Sequence, residues 1–146
     1  MIALLQRVSM ASVTIDSQQT ARIDQGLLVL LAVEKMDTMQ QADRLLQRIL
    51  NYRVFADSED KMNHSLRDIA GELLLVPQFT LAADTDKGNR PSFAPAASPI
   101  MGKQLFDYLV SQAKSQHPAV AAGQFGADMQ VSLINNGPVT FWLHVT

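Results

Sequence analysis

Three stretches of the chain put polar or conformationally special residues where chemistry could be done. The first is Pro77-Gln78-Phe79-Thr80-Leu81. It sets an amide and a hydroxyl at the end of the apolar run Glu72 to Val76, stopped or bent by a proline that cannot donate to a strand ladder. Strand ends are where a rigid scaffold meets solvent, so a site there is physically sensible; the same spacing also describes the outward face of an ordinary strand. The second is Asn136-Gly137-Pro138-Val139-Thr140. Taken locally it reads as a hairpin turn with proline just after it. The sharper alternative makes Gly137-Pro138 a cis pair that presents its carbonyls at a fixed angle. The third is the loop Asp84 to Phe93, where Lys87 and Arg90 could meet a nucleic-acid phosphate but share the loop with Asp84 and Asp86 and read as solvated.

Other chemistries are excluded by what the sequence lacks. With Cys 0 there are no disulfides, thiolate metal sites or cysteine nucleophiles, which fits a reducing cytosol. His64, His117 and His144 have no ligand-spaced partners, so no metal site is supported. There is no Gly-rich phosphate cradle, nucleophile elbow or paired-carboxylate arrangement, and no cofactor is expected. Aromatic residues make up 6%, too few for a single-strand stacking platform. The formal net charge of -2 argues against a general nucleic-acid coat, though not against a local RNA site touching few phosphates.

The elements that must hold these stretches follow from patterning. A chain of 146 residues, 47% hydrophobic, supports one domain over 1–146. The start is too soon charged for a signal peptide, and the longest apolar run, Leu27 to Val33, is far short of a membrane span; a soluble protein is expected. Ile2 to Val8 and Ser12 to Ile15 read as extended segments. Leu27 to Val33 has no polar face and follows Gly26, which favours a strand covered on both sides. Asp37 to Leu50 reads as a helix, with Asp37 as N-cap and Gln40 as its capping partner. Tyr52 to Phe55 reads as a short strand, and Glu72 to Val76 as a second buried one. A second helix opens at Ser98-Pro99 and ends before His117-Pro118. Met129 to Ile134 and Val139 to Val145 read as two strands around the Asn135 to Pro138 turn. The expected fold is α+β: a curled, antiparallel-rich sheet or barrel with two main helices packed outside.

Residue chemistry alone goes no further than this, but several motifs in order carry a resemblance. They are Gln6-Arg7-Val8; Gly26 to Leu31 with Val33-Glu34-Lys35; Lys61-Met62-Asn63; Pro77 to Thr85; Arg90-Pro91-Ser92-Phe93; Gly126 to Leu133; and Asn135 to Trp142. Together they resemble the D-aminoacyl-tRNA deacylase family over essentially the whole chain. The resemblance implies a cytoplasmic homodimer without cofactor or metal that hydrolyses the ester joining a D-amino acid to the terminal adenosine of tRNA, a proofreading step in translation. By the same resemblance Gln78, Phe79 and Thr80 lie in the ester pocket as the catalytic set. Gly137 and Pro138 form a cis pair inserted into the partner's pocket, supported by Arg7, with Val139, Thr140 and Met129 also at the substrate. A monomer is then inactive.

The implied mechanism has two versions. Either the Thr80 hydroxyl attacks the ester, or the protein positions the ester while the ribose 2′-hydroxyl assists and backbone N–H groups near Phe79 hold the oxyanion. The absence of a general base in these motifs favours the second. Exclusion of L residues by main chain lets glycine through, so glycyl-tRNA is an expected substrate. The chain departs from the family pattern at Pro77 (usually Ser), Ala32 (usually Gly) and Asn136 (often Asp). Pro77 also occurs in a branch that deacylates certain mischarged L-aminoacyl-tRNAs, while Phe79 and Gly137 to Thr140 follow the D-specific pattern. The rival readings are a deacylase of relaxed chirality, a non-catalytic RNA-end-binding dimer, and an esterase of small metabolites acting through Thr80.

Overall fold

One long strand organises the molecule. In the computed structural model, which describes all 146 residues, β1 runs unbroken over Ile2–Ile15. The two extended segments read in the sequence are therefore one strand. Its first half pairs antiparallel with β3 (Gly26–Ala32), from Ile2↔Ala32 to Val8↔Gly26. Its second half pairs with β2 (Gln18–Ile23) across a turn at Asp16 and Ser17, both at positive φ. The surplus residue Ser9, where the β1–β8 register shifts, resets the alternation, so that Ala3 and Leu5 face one core while Val8, Ala11 and Val13 face another. Strands β2 and β7 are absent from the sequence reading. Gln18–Ile23 buries only Ile23, and β7 (Val120–Ala122) is a three-residue, half-buried strand.

The sheet continues through parallel pairs, β3 to β6 (Glu72–Pro77) and β6 to β7, giving the order β2-β1-β3-β6-β7. The last strand, β8 (Gln130–His144), lies antiparallel along the other edge of β1. With β2 approaching β6 and β7, the sheet curls into a nearly closed barrel. Strands β3 and β6 are buried on both faces, as an apolar run without a polar side requires. Leu27, Val29, Leu31, Leu73 and Leu75 face the helices, while Leu28, Leu74 and Val76 fill the inside of the curl. A side chain at Gly26 would meet the Glu72 carbonyl at 1.8 Å, so only glycine lets β3 begin this close to β6. A small hairpin, β4 (Phe55–Ala56) with β5 (Met62–His64), stands apart. Tyr52 to Val54 is not strand, so β4 is shorter than the sequence reading and later by three residues.

Two helices cover the outer face. The first, α1 (Met39–Asn51), buries Ala42, Leu45, Leu46, Ile49 and Leu50, the stripe its spacing dictates. Its cap is Thr38, not Asp37: Thr38 and Gln41 form the reciprocal capping box. Asp37 is buried and committed elsewhere, accepting from the amino group of Met1 at 2.7 Å and from the Glu34 backbone N–H at 2.7 Å. The second, α2 (Pro99–Gln116), starts at the Ser98 cap with proline at its first position and ends at His117. His117 is buried, with Nε2 2.6 Å from the Gly71 carbonyl, so it is part of the packing. No helix is long and apolar enough to cross a membrane.

The Met1 amino group ties these layers together through Glu34 Oε2 (2.8 Å), Asp37 and the Val145 carbonyl (2.7 Å), and Glu34 Oε2 also meets His144 Nε2 at 2.7 Å. Burial pushes the Glu34 carboxyl up, but the bonds from the Met1 ammonium and His144 outweigh it and hold the group below the usual glutamate range. A carboxyl depressed in the folded state contributes stability above its unfolded value and loses it as pH falls through the folded one. Glu34→Gln is therefore expected to lower neutral-pH stability by about 1–2 kcal/mol, with the gap to wild type closing below the glutamate range, read by urea unfolding across pH.

Candidate functional site

At the carboxyl ends of the parallel pair β3–β6 lies a cavity of about 600 Å³. Crevices at such strand ends are common ligand sites, because the backbone that shapes them is rigid. Leu31, Val33 and Val76 form its floor, and Pro99, Gly102 and Phe106 of α2 one wall. Phe125 to Ala127, Met129 and Val131 form a second wall, and Gln78, Phe79 and Phe93 the rim. None of the lining residues carries an ionisable side chain.

Beyond Pro77 the chain does not continue as a strand. Parallel pairing brings Gln78 N–H to the Leu31 carbonyl at 2.7 Å, and Phe79–Ala82 then closes into a single 3₁₀ turn. Pro77 is tolerated because its nitrogen points toward β7, whose ladder has ended at Ala122. The first bond the turn closes is Leu81 N–H to Gln78 O (3.2 Å), leaving the Phe79 and Thr80 N–H groups ahead of it. The Gln78 amide donates to the Thr80 hydroxyl at 2.5 Å. An amide is no base, and no carboxylate or imidazole bonds to that hydroxyl. Phe79 is exposed and packs on Phe93, ring centroids 5.0 Å apart. Phe93 thus joins the site as a rim residue, a role its Arg-Pro-Ser-Phe context did not disclose. Met129 is seated by the Gln124 N–H, which meets its sulfur at 3.4 Å.

The second group of sequence-read residues stands elsewhere. Asn135 to Thr140 is not a hairpin turn: both halves of β8 pair antiparallel with β1, so the chain keeps its direction. Between Gln6↔Thr140 and Val8↔Asn135, four residues of β8 stand against one of β1, and the surplus projects as a bulge with Asn136, Gly137 and Pro138 exposed. The Gly137-Pro138 bond is cis. Asn135, given no role by its spacing, closes the base. Its Oδ1 accepts from Val139 N–H (2.7 Å), and its Nδ2 donates to Val139 O (3.3 Å) and Thr140 Oγ1 (3.0 Å). Arg7 braces the tip, with Nε donating to the Asn136 carbonyl (2.8 Å) and Nη1 to the Val54 carbonyl (2.6 Å). Gly137 sits at φ +149, and a Cβ there would meet Val139 Cγ2 at 2.6 Å and Val139 N at 2.9 Å, so no other residue fits.

Sequence-read residues therefore fall into two groups. Gln78, Phe79 and Met129 line the cavity, with Thr80 beside them on the 3₁₀ turn. Arg7, Gly137, Pro138, Val139 and Thr140 make or brace the bulge and do not line the cavity. No cluster of three His, Asp or Glu stands where it could hold a metal.

The chain matches the family described as D-Tyr-tRNA(Tyr) deacylase over residues 4–144. It is 61% identical over 145 residues to a D-aminoacyl-tRNA deacylase of Nitrosococcus oceani, an alignment covering 99% of this chain and 94% of that protein. To one of Pseudomonas putida it is also 61% identical, covering 99% of this chain and 100% of the relative. Among solved structures, a c-Myc DNA unwinding element binding protein superposes with TM-score 0.96 at 36% identity, covering 100% of this chain and 99% of that one. A probable eukaryotic D-amino acid tRNA deacylase superposes with TM-score 0.80 at 17% identity, covering 97% of each chain, a likeness of fold.

Asn135→Ala removes the bonds that close the bulge and leaves the Val139 groups to find water. It is expected to cost about 1–3 kcal/mol by chemical denaturation and to speed hydrogen exchange at the Val139 amide before that of neighbouring β8 amides.

Proposed function

This chain belongs to the D-Tyr-tRNA(Tyr) deacylase family and is a hydrolase of D-aminoacyl-tRNA, and we propose that its cavity is completed by the Gly137-Pro138 tip of a second copy. The observation that carries this is a division: one chain holds a cavity with backbone N–H groups at its rim and, outside that cavity, an exposed main-chain tip braced by Arg7. A homodimer brings the two together. The exposed apolar residues Ile134 and Trp142 of β8 give a second copy a surface to cover.

In the completed site the tip carbonyls accept hydrogen bonds from the substrate's α-ammonium group. With ester carbon and amine fixed, two directions remain at the α-carbon. A D side chain takes the open one, whereas an L side chain is driven into main chain. Handedness is then read without recognising any particular side chain, and glycine, which has none, passes. Gly137 serves this role because any side chain there would collide with Val139.

The chemistry follows from what the cavity lacks. With no ionisable group in its lining and only an amide beside the Thr80 hydroxyl, the protein supplies no general base. Position and electrostatics remain. The Phe79 and Thr80 N–H groups at the start of the 3₁₀ turn stabilise the oxyanion, and the ribose 2′-hydroxyl, adjacent to the ester oxygen, activates water or assists the leaving group. Removing one oxyanion donor costs about 100- to 1000-fold in known cases, so this term is large enough to dominate. The reading places the enzyme in the cytoplasm with aminoacyl-tRNA, without metal or cofactor.

Matched deacylation assays test the reading. D-tyrosyl-, D-aspartyl- and glycyl-tRNA are expected to be hydrolysed within about one order of magnitude of one another, and L-tyrosyl-tRNA at least 1000-fold more slowly; rates ordered by D side-chain identity would contradict it. Thr80→Ala is expected to keep most of kcat, whereas a substrate ending in 2′-deoxyadenosine is expected to lose about 100-fold or more. Normal cleavage of the deoxy substrate would remove the 2′-hydroxyl from the mechanism.

A further inference from the structure

The basic residues are not used evenly. Of the 12 Lys and Arg, most have their side chains engaged. Arg22, Lys61 and Lys103 pair with Asp24, Glu59 and Asp107. Arg7, Arg44 and Arg48 donate to main-chain carbonyls, and Arg67 to Asn51. Lys35, Arg53, Lys87, Arg90 and Lys114 remain exposed, and their side chains bond to nothing in the molecule.

Three of these free cations belong to two segments that are stitched together at the cavity rim. The loop bearing Lys87 and Arg90 is closed by reciprocal bonds between Asp84 and Ser92 (2.8 and 3.0 Å), and the next residue is the rim residue Phe93. The following stretch is laid against the end of β3 by Lys35 N–H to Pro95 O (3.1 Å) and Ala97 N–H to Val33 O (2.9 Å). Neighbouring acids are partly spent. Glu34 and Asp37 are held by the Met1 amino group, and Asp84 accepts the Asp86 N–H. Lys87 and Arg90 therefore stand before the rim segment and Lys35 alongside it, with no carboxylate bonded to any of them.

We propose that Lys35, Lys87 and Arg90 form a phosphate-binding edge that holds the phosphodiesters immediately preceding the terminal aminoacyl-adenosine. The proposal rests on the reading that this cavity takes the aminoacyl end of tRNA, and it assigns positioning residues to that reaction. A single-stranded 3′ end entering the cavity must lead its backbone over the rim. Cations held on long flexible stems at that rim neutralise phosphates without reading bases, and displace condensed counterions as they do so. The arrangement grips the few terminal phosphates common to every substrate, consistent with a chain whose overall charge is slightly negative.

Two substrates separate this edge from the catalytic cavity: D-tyrosyl-tRNA, and D-tyrosyl-adenosine, which has the ester and the 2′-hydroxyl but no phosphate. Lys87→Ala/Arg90→Ala, with and without Lys35→Ala, is expected to lower kcat/KM on the tRNA about 10-fold or more, chiefly through KM. The same variants should leave D-tyrosyl-adenosine within twofold. On the tRNA, the slope of log kcat/KM against log salt should flatten by about 0.7 for each phosphate contact removed. Lys114→Ala, on the last turn of α2, is expected to change neither substrate. Equal losses on both substrates, an unchanged salt slope, or a comparable effect from Lys114→Ala would each overturn the proposal. Wild-type protein inert toward both substrates would instead remove the functional reading beneath it, and this edge with it.

Discussion

A strand that is longer than the neighbour it pairs with must put its surplus somewhere. Between Gln6 and Val8, where β1 has Arg7 alone, strand β8 spends four residues, and the excess is driven out of the sheet as the Asn136 to Pro138 tip. The remaining features of the tip serve this mismatch. Asn135 closes its base by bonding both the N–H and the carbonyl of Val139. Val139 turns its side chain back into the core, anchoring the return. Arg7, on the opposing stretch of β1, reaches out to the Asn136 carbonyl and back to Val54. The tip is a piece of main chain held rigid by the sheet from which it protrudes. Rigid main chain is what discrimination by handedness requires, since a side chain in the same place could rotate away.

On the proposed reading, the cavity is the complement of that tip. Its walls are apolar and its rim offers backbone N–H groups and an unactivated hydroxyl. On that reading the site supplies placement and a preorganised dipole, and the substrate brings the reactive group. The same proposal accounts for a sequence without visible catalytic machinery: the protein-side atoms it invokes are main-chain atoms, which every sequence has. The proposed phosphate-binding edge extends the same economy to RNA, since backbone phosphates are common to all substrates.

How much could be read in advance depended on how local the determinants are. The doubly buried runs of β3 and β6, the stripe of α1 and the Ser98-Pro99 start of α2 are set by nearest neighbours and appear where expected. The α1 cap moved by one residue because a distant ammonium, that of Met1, claims Asp37. Asn-Gly-Pro signals a turn in any local reading, yet pairing of both flanks with β1 overrides it and makes a bulge. Gln78 to Leu81 were expected at a strand end; that the chain coils there into a 3₁₀ turn follows from loss of the β7 partner beyond Ala122, which no local pattern encodes. Strand β2, with one buried residue, carries almost no alternation to detect. The motifs singled out both groups of residues, but only the three-dimensional arrangement reveals that one chain keeps the cavity and the bulge apart.

Mixed dimers test the shared site most directly. Gly137→Ala spoils the tip and leaves the cavity intact; Ala127→Trp fills the cavity and leaves the tip intact. Each homodimer lacks a working site. A hybrid of the two has one site with intact cavity and intact tip, and one with neither. Separately inactive variants, co-refolded or co-expressed, are expected to regain roughly a quarter of wild-type D-aminoacyl-tRNA hydrolysis, from half of the dimers each with one working site. If the hybrid is as inactive as its parents while both fold and dimerise normally, tip and cavity do not meet across two chains, and chiral selection by a partner's main chain is wrong.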